Sequence, residues 1–145
     1  MKRFADIILD EHGVPRPEVV KDFCDLTHAE VGKLGFLLRN GFKAATKVRS
    51  DIVQETMIVL LPEMSEMFES FYVEHMACSE PSIKTYTLDN SERIIQAVLS
   101  ITDRRAKASQ WWALRKIYFG LRKFAESVLR DAIPGFSQVL ERHGV

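Results

Sequence analysis

The chain has 145 residues, 46% of them hydrophobic and 28% charged, with 20 Lys+Arg against 20 Asp+Glu. This balance excludes an acidic disordered tail and a wholly basic nucleic-acid arm, and the length suffices for one core without disulfide or metal staples. Cys24 and Cys78 therefore read as free thiols of a reducing interior. No apolar run approaches the roughly 18 residues that span a bilayer, and the N-terminus reaches Asp6 before any apolar stretch develops, so a cytoplasmic location is expected.

Apolar residues recur at intervals of three and four and alternating β-branched runs are absent, which predicts an all-α protein: a compact bundle of six or seven mostly antiparallel helices in a single domain. Residues 3–11 predict a first helix, stopped at Gly13 ahead of Pro15 and Pro17. Pro17 suits the first position of a short second helix reaching about Asp25, and Thr27 with Glu30 has capping-box spacing for a third. Gly32 and Gly35 then fall inside that third helix and read as a close helix crossing, with Asn40-Gly41 as its stop. A fourth helix is expected over residues 43–60, and Pro62 opens a fifth that runs to about Met76. Residues 79–88 form the one stretch that reads as a true loop. Asp89 and Glu92 again have capping spacing, for a helix through about Asp103. The longest helix is predicted from about Gln110 to Ala132, with Ser109 as its cap and Pro134-Gly135 as its stop, followed by a last turn over residues 136–142.

The even charge balance is a cancellation. Residues 51–83 carry seven acids and no base, whereas residues 104–145 carry nine bases and three acids. On a helical wheel over residues 105–130, Leu114, Ile117, Tyr118, Leu121, Phe124, Ala125 and Val128 share one side and form the expected core face. The other side gathers Arg105, Trp112, Arg115, Lys116, Phe119, Arg122, Lys123 and Arg130, with Glu126 as its one acid. Such a stripe fits an acidic partner, either this chain's own Glu55, Glu63, Glu66, Glu69 and Glu74 or a second protein, with the aromatics as buried anchors. It also fits phosphates with bases stacked on the rings, an anionic membrane surface, or the solvated rim of an ordinary bundle helix.

Residues 28–54 invite comparison with a helix-turn-helix, with Asn40-Gly41 as the turn, Arg39, Lys43, Lys47 and Arg49 as phosphate contacts, and Thr46, Ser50 and Gln54 at base edges. Bulky Leu37 and charged Lys47 fit that motif poorly. Cys24, His28, His75 and Cys78 have donor types suited to tetrahedral zinc, but the first pair straddles a proposed helix start, and no metal is expected. Glu63, Glu66 and Glu69 lack the Glu-x-x-His partners of a carboxylate metal centre and read as a solvated face. His12 and His143, each ahead of a glycine, read as helix-end residues. Met57, Met64, Met67 and Met76 suit an adaptable groove or, more simply, core packing.

There is no G-x-S-x-G, no Walker loop and no dinucleotide fingerprint. The expected function is that of a non-enzymatic helical interaction or regulatory protein without a cofactor, binding a protein partner or a second copy of itself through the basic-aromatic helix. Nucleic-acid binding through the same helix or through residues 28–54 is the alternative.

Overall fold

The computed structural model describes residues 2–48, 50–78 and 82–145. The chain is an all-α bundle: α1 (Phe4–Ile8), α2 (Pro17–Gly32), α3 (Phe36–Val48), α4 (Ile52–Ala77), α5 (Ile83–Asp89), α6 (Ser91–Ala108), α7 (Trp112–Leu121), a 3-10 turn (Arg122–Phe124) and α8 (Ala125–Arg142). Its core lies where α1, α4, α6 and α8 meet. Phe68 is its largest fully buried side chain, with the Phe4, Phe71 and Phe136 rings at 4.8, 5.5 and 5.5 Å. No described helix is long and apolar enough to cross a membrane.

Several boundaries depart from the sequence-based expectation, each for a physical reason. The first helix ends at Ile8 because Asp10 competes for the backbone. Its Oδ1 accepts the N–H groups of His12 (2.8 Å) and Val14 (3.0 Å), and Gly13 takes φ +75° to complete the turn. Pro17 does open α2, but Thr27 starts no new helix; its hydroxyl donates to the Phe23 carbonyl one turn back (2.9 Å), inside a continuous 16-residue helix. The break falls instead between Gly32 and Gly35, and neither glycine has a neighbour that a Cβ would meet, so they are a helix junction and not a close crossing. Asn40-Gly41 lies within α3.

The two prolines are also carried inside helices. Pro62 sits in the 26-residue α4 and Pro134 in α8. An internal proline costs about 3 kcal/mol. Both are flanked by the deepest core, Leu61 and Phe68 in α4 and Ile133 and Leu140 in α8. Each is followed three residues later by a buried serine, Ser65 or Ser137, whose hydroxyl donates to the proline carbonyl at 2.8 Å and so needs no other partner in the core. Gly135 lets α8 approach α2, for a Cβ there would overlap Leu26 Cδ1. Pro134-Gly135 is thus a helix crossing and not a stop.

Part of the predicted loop falls on residues 79–81, outside the described residues. Ser82 caps α5 by accepting the Thr85 N–H (3.1 Å), so residues 83–89 are helical. Asn90, and not Asp89, precedes α6, which runs five residues beyond the expected Asp103. The predicted long helix over residues 110–132 is interrupted by the 3-10 turn at Arg122–Phe124. Ser109 nevertheless serves near its start by accepting the Trp111 N–H (3.2 Å).

Candidate functional site

The interruption at Arg122–Phe124 redistributes the basic-aromatic stripe. Arg105 lies on α6, where it and Arg104 bind Glu63 of α4 at 3.1 and 2.6 Å. Arg130 lies on α8 and binds Glu92 (Nε–Oε1 3.0 Å). Arg122 clamps Asp103 of α6 through Nε (2.8 Å) and Nη2 (3.2 Å), and the Tyr118 hydroxyl donates to the same carboxylate at 2.6 Å. The hydrogen bonds from Arg122, opposed by partial burial and joined by Tyr118, hold the Asp103 carboxyl below its ordinary value. Burial, then the bond to Asp103, pushes the Tyr118 phenol up. These three arginines fasten helices to one another.

The rest of the stripe stays outward. Trp112 is 65% exposed and Phe119 42%, with Arg115, Lys116 and Lys123 exposed beside them. Lys116 Nζ lies 4.9 Å from the Trp112 ring centre and Lys123 Nζ 5.2 Å from that of Phe124, so each cation rests on an aromatic face and not on a carboxylate. The expected core side of this segment is only half-buried at Leu114, Ile117, Tyr118, Leu121, Ala125 and Val128, and Phe124 is exposed. No residue of α7 is fully buried.

The residues assigned to phosphate contact share a face of α3. Arg39, Lys43 and Lys47 follow one another at four-residue spacing, all exposed, while Arg49 lies outside the described residues. With Asn40-Gly41 helical, the turn of a helix-turn-helix does not form there, and the Thr46 hydroxyl is taken by the Lys43 carbonyl (3.0 Å). Phe36, which the sequence reading passed over, is 70% exposed and stands three, seven and eleven residues before these cations. Helix α3 thus repeats the aromatic-cationic pattern of α7. The spacing of Phe36 to Arg39, Lys43 and Lys47 was the available signal, hidden by the assumed break at Gly41. Neither α3, α7 nor the 3-10 turn contains an acid.

Two acids of the 51–83 block are ion-paired with α6. Besides Glu63, Glu74 binds Arg93 (2.9 Å) and accepts from the Tyr86 hydroxyl (3.0 Å), which with burial pushes the Tyr86 phenol up to about 12. Glu69 accepts the Phe4 N–H (2.7 Å), fixing α1 on α4; Glu66 is exposed. Among the described residues no three His, Cys, Asp or Glu side chains stand close enough to hold a metal ion. His28 packs on Phe42 and His75 on Tyr86, so the Cys24/His28/His75/Cys78 pattern does not assemble. His143 caps α8 as expected, but its Nε2 also lies 2.6 Å from Asp22 of α2, and Arg142 Nη1 3.0 Å from the same carboxylate. Burial works to raise the Asp22 carboxyl, but His143 and Arg142 outweigh it and hold it below its ordinary value. His12 is exposed in the turn after α1.

Between the helices run two apolar pockets, each open in part to solvent. One cavity of about 330 Å³ lies between α1, α2, α4, α6 and α8, and a second of about 390 Å³ between α2, α3, α4, α6, α7 and α8. They share Thr27, Met57, Val98, Thr102, Val128 and Leu129 as wall residues and so adjoin. Met57 and Met67 pack against the core as expected, and with Met64 they also line the first pocket; Met76 is exposed.

The fold and these surfaces define a helical bundle with two aromatic-cationic helices packed over an apolar interior. The chain belongs to a family of unknown function, DUF6918, whose pattern covers residues 5–144. No curated protein and no solved structure matches the chain.

Proposed function

We propose that this protein is a non-enzymatic interaction protein that docks on an acidic partner protein through the outward face of α7, with Trp112 and Phe119 as anchors and Arg115, Lys116 and Lys123 as the charged rim. The observation that carries this reading is the 65% exposure of Trp112 within a segment free of carboxylates. Aromatic side chains surrounded by cations are the residues that carry binding energy when a partner excludes water from them. Arg105, Arg122 and Arg130, occupied within the bundle, are not assigned to contact. Phe36, Arg39, Lys43 and Lys47 extend the surface along α3.

The test is capture of the partner from the protein's own cell extract by wild type and by the Trp112→Ala/Arg115→Glu variant. Wild type is expected to retain one dominant acidic protein, released as salt rises, and the variant to lose it with its thermal unfolding unchanged. Equal retention by a folded variant would contradict the assignment.

Nucleic-acid binding is kept as a second reading because Arg39, Lys43 and Lys47 form a cationic row with no ion-pair partner among the described residues. It requires a steep loss of affinity with salt. Absence of any mobility shift with single- or double-stranded nucleic acid at low salt would remove it.

A further inference from the structure

We propose that the two adjoining cavities are the binding site of a single long-chain amphiphile with an anionic end, a fatty carboxylate, whose chain passes the shared wall at Val98, Val128 and Leu129 and whose carboxylate lies at the α3–α7 end. This goes beyond docking through the outward face of α7 and does not rest on it, because Leu114, Ile117 and Leu121, which line the second cavity, occupy the inward side of that helix.

Shape is the first support. Each cavity, about 330 and 390 Å³, is more than twice the roughly 150 Å³ that accepts a benzene-sized guest, and both fall within the range of small-molecule sites. Because they lie on either side of the same six residues, a flexible chain that threads between Val98, Val128 and Leu129 can occupy both, whereas a compact ring fills only one. The thioethers of Met57, Met64 and Met67 let the wall adjust to a flexible guest.

Chemistry gives the direction. The hydroxyls at the junction are already engaged, Thr27 with the Phe23 carbonyl (2.9 Å) and Thr102 with Tyr118 (2.7 Å), so that stretch presents carbon to the guest. Each cavity has one charged wall residue. In the first it is Glu30, whose carboxylate is 10% exposed and bound by Lys33 at 3.1 Å, a pair that offers a guest anion no free cation. In the second it is Arg122, already clamped by Asp103, but the helices beside that cavity, α3 and α7, carry the exposed cations Arg39, Lys43, Lys47, Arg115 and Lys116 with no acid. The negative end of a guest is therefore favoured at the second cavity, where the exposed cations of α3 and α7 stand, over the first.

The experiment is a fluorescence titration of the delipidated full chain with 11-(dansylamino)undecanoic acid below its micelle concentration, followed by displacement with oleate and with oleyl alcohol. Saturable enhancement at one site per chain is expected, with oleate displacing the probe at least about tenfold more effectively than the uncharged alcohol. Val98→Phe, which fills the junction, is expected to abolish uptake while the ligand-free protein unfolds at the same or a higher temperature. Lys43→Glu/Lys47→Glu, exposed and so harmless to folding, is expected to weaken oleate but not oleyl alcohol, which keeps the test decisive if Val98→Phe does not fold. No saturable enhancement with wild type, uptake by Val98→Phe equal to wild type, or equal displacement by oleate and oleyl alcohol would each overturn the proposal. So would binding to phosphatidylglycerol vesicles without uptake of monomeric oleate. Loss of oleate uptake with partner capture by wild type intact would overturn this inference and leave the docking surface standing.

Discussion

At the scale of single residues, the side chains that join helices are those where charge and hydrogen bonding coincide. Asp103 receives Arg122 and Tyr118 together and so fastens α7 and the 3-10 turn to α6. Its carboxyl is held below the ordinary 3.8, so its contribution is fully present above that value and is lost as pH falls through the lowered one. Acidification below about pH 4 is therefore expected to loosen α7 before the core, seen as loss of the Tyr118 near-ultraviolet signal ahead of helical circular dichroism. Asp103→Asn removes the negative charge that helps keep Tyr118 protonated; a titration of tyrosinate absorbance should show that phenol ionising at lower pH than in wild type. An unchanged titration would mean that the contact is absent in solution. Phe68→Ala, at the centre of the core, is expected to cost about 3–5 kcal/mol in denaturant unfolding.

At the scale of elements, local chemistry named the residue types correctly but lost to packing at several boundaries. Proline, glycine and Asn-Gly ordinarily bound helices, and the sequence places stops at Asn40-Gly41 and Pro134-Gly135 and a helix start at Pro62. Burial of Leu61 and Phe68 around one proline, and of Ile133 and Leu140 around the other, outweighs the missing hydrogen bond. The recurring Pro-x-x-Ser, Pro62 to Ser65 and Pro134 to Ser137, is the sequence trace of this arrangement, but only burial of the serines makes it meaningful. Pro62→Ala is accordingly expected to stabilise the protein by about 1–3 kcal/mol, because it restores a mid-helix N–H. A loss of stability would instead fit a helix that begins at residue 62. Gly135→Leu should destabilise by a similar amount, about 1–3 kcal/mol, through the clash with Leu26, and Leu26→Ala in that background should recover part of the loss.

At the scale of the whole molecule, the even charge balance conceals two helices, α3 and α7, whose cations have no acid on their own helix. Acids of α4 are bound by arginines of α6, Glu63 by Arg104 and Arg105 and Glu74 by Arg93, while α3 and α7 keep exposed cations beside exposed aromatics. The all-α class and the outward placement of Trp112 and Phe119 were legible in the sequence because both follow from helical periodicity. The split of the stripe was not, because the wheel assumed one straight helix through the Arg122–Phe124 turn. The cavities were not legible either, since periodicity separates apolar from polar faces and says nothing about how closely the apolar faces meet. The central claim is that the outward face of α7 is the recognition surface. It is tested most directly by installing a photo-crosslinking side chain at position 112 in the producing cells, with position 88, where Leu88 is 45% exposed on α5, as the control. One dominant crosslinked acidic protein from position 112 and none from position 88 is the expected result; no crosslink at 112, or the same products at both positions, would contradict it.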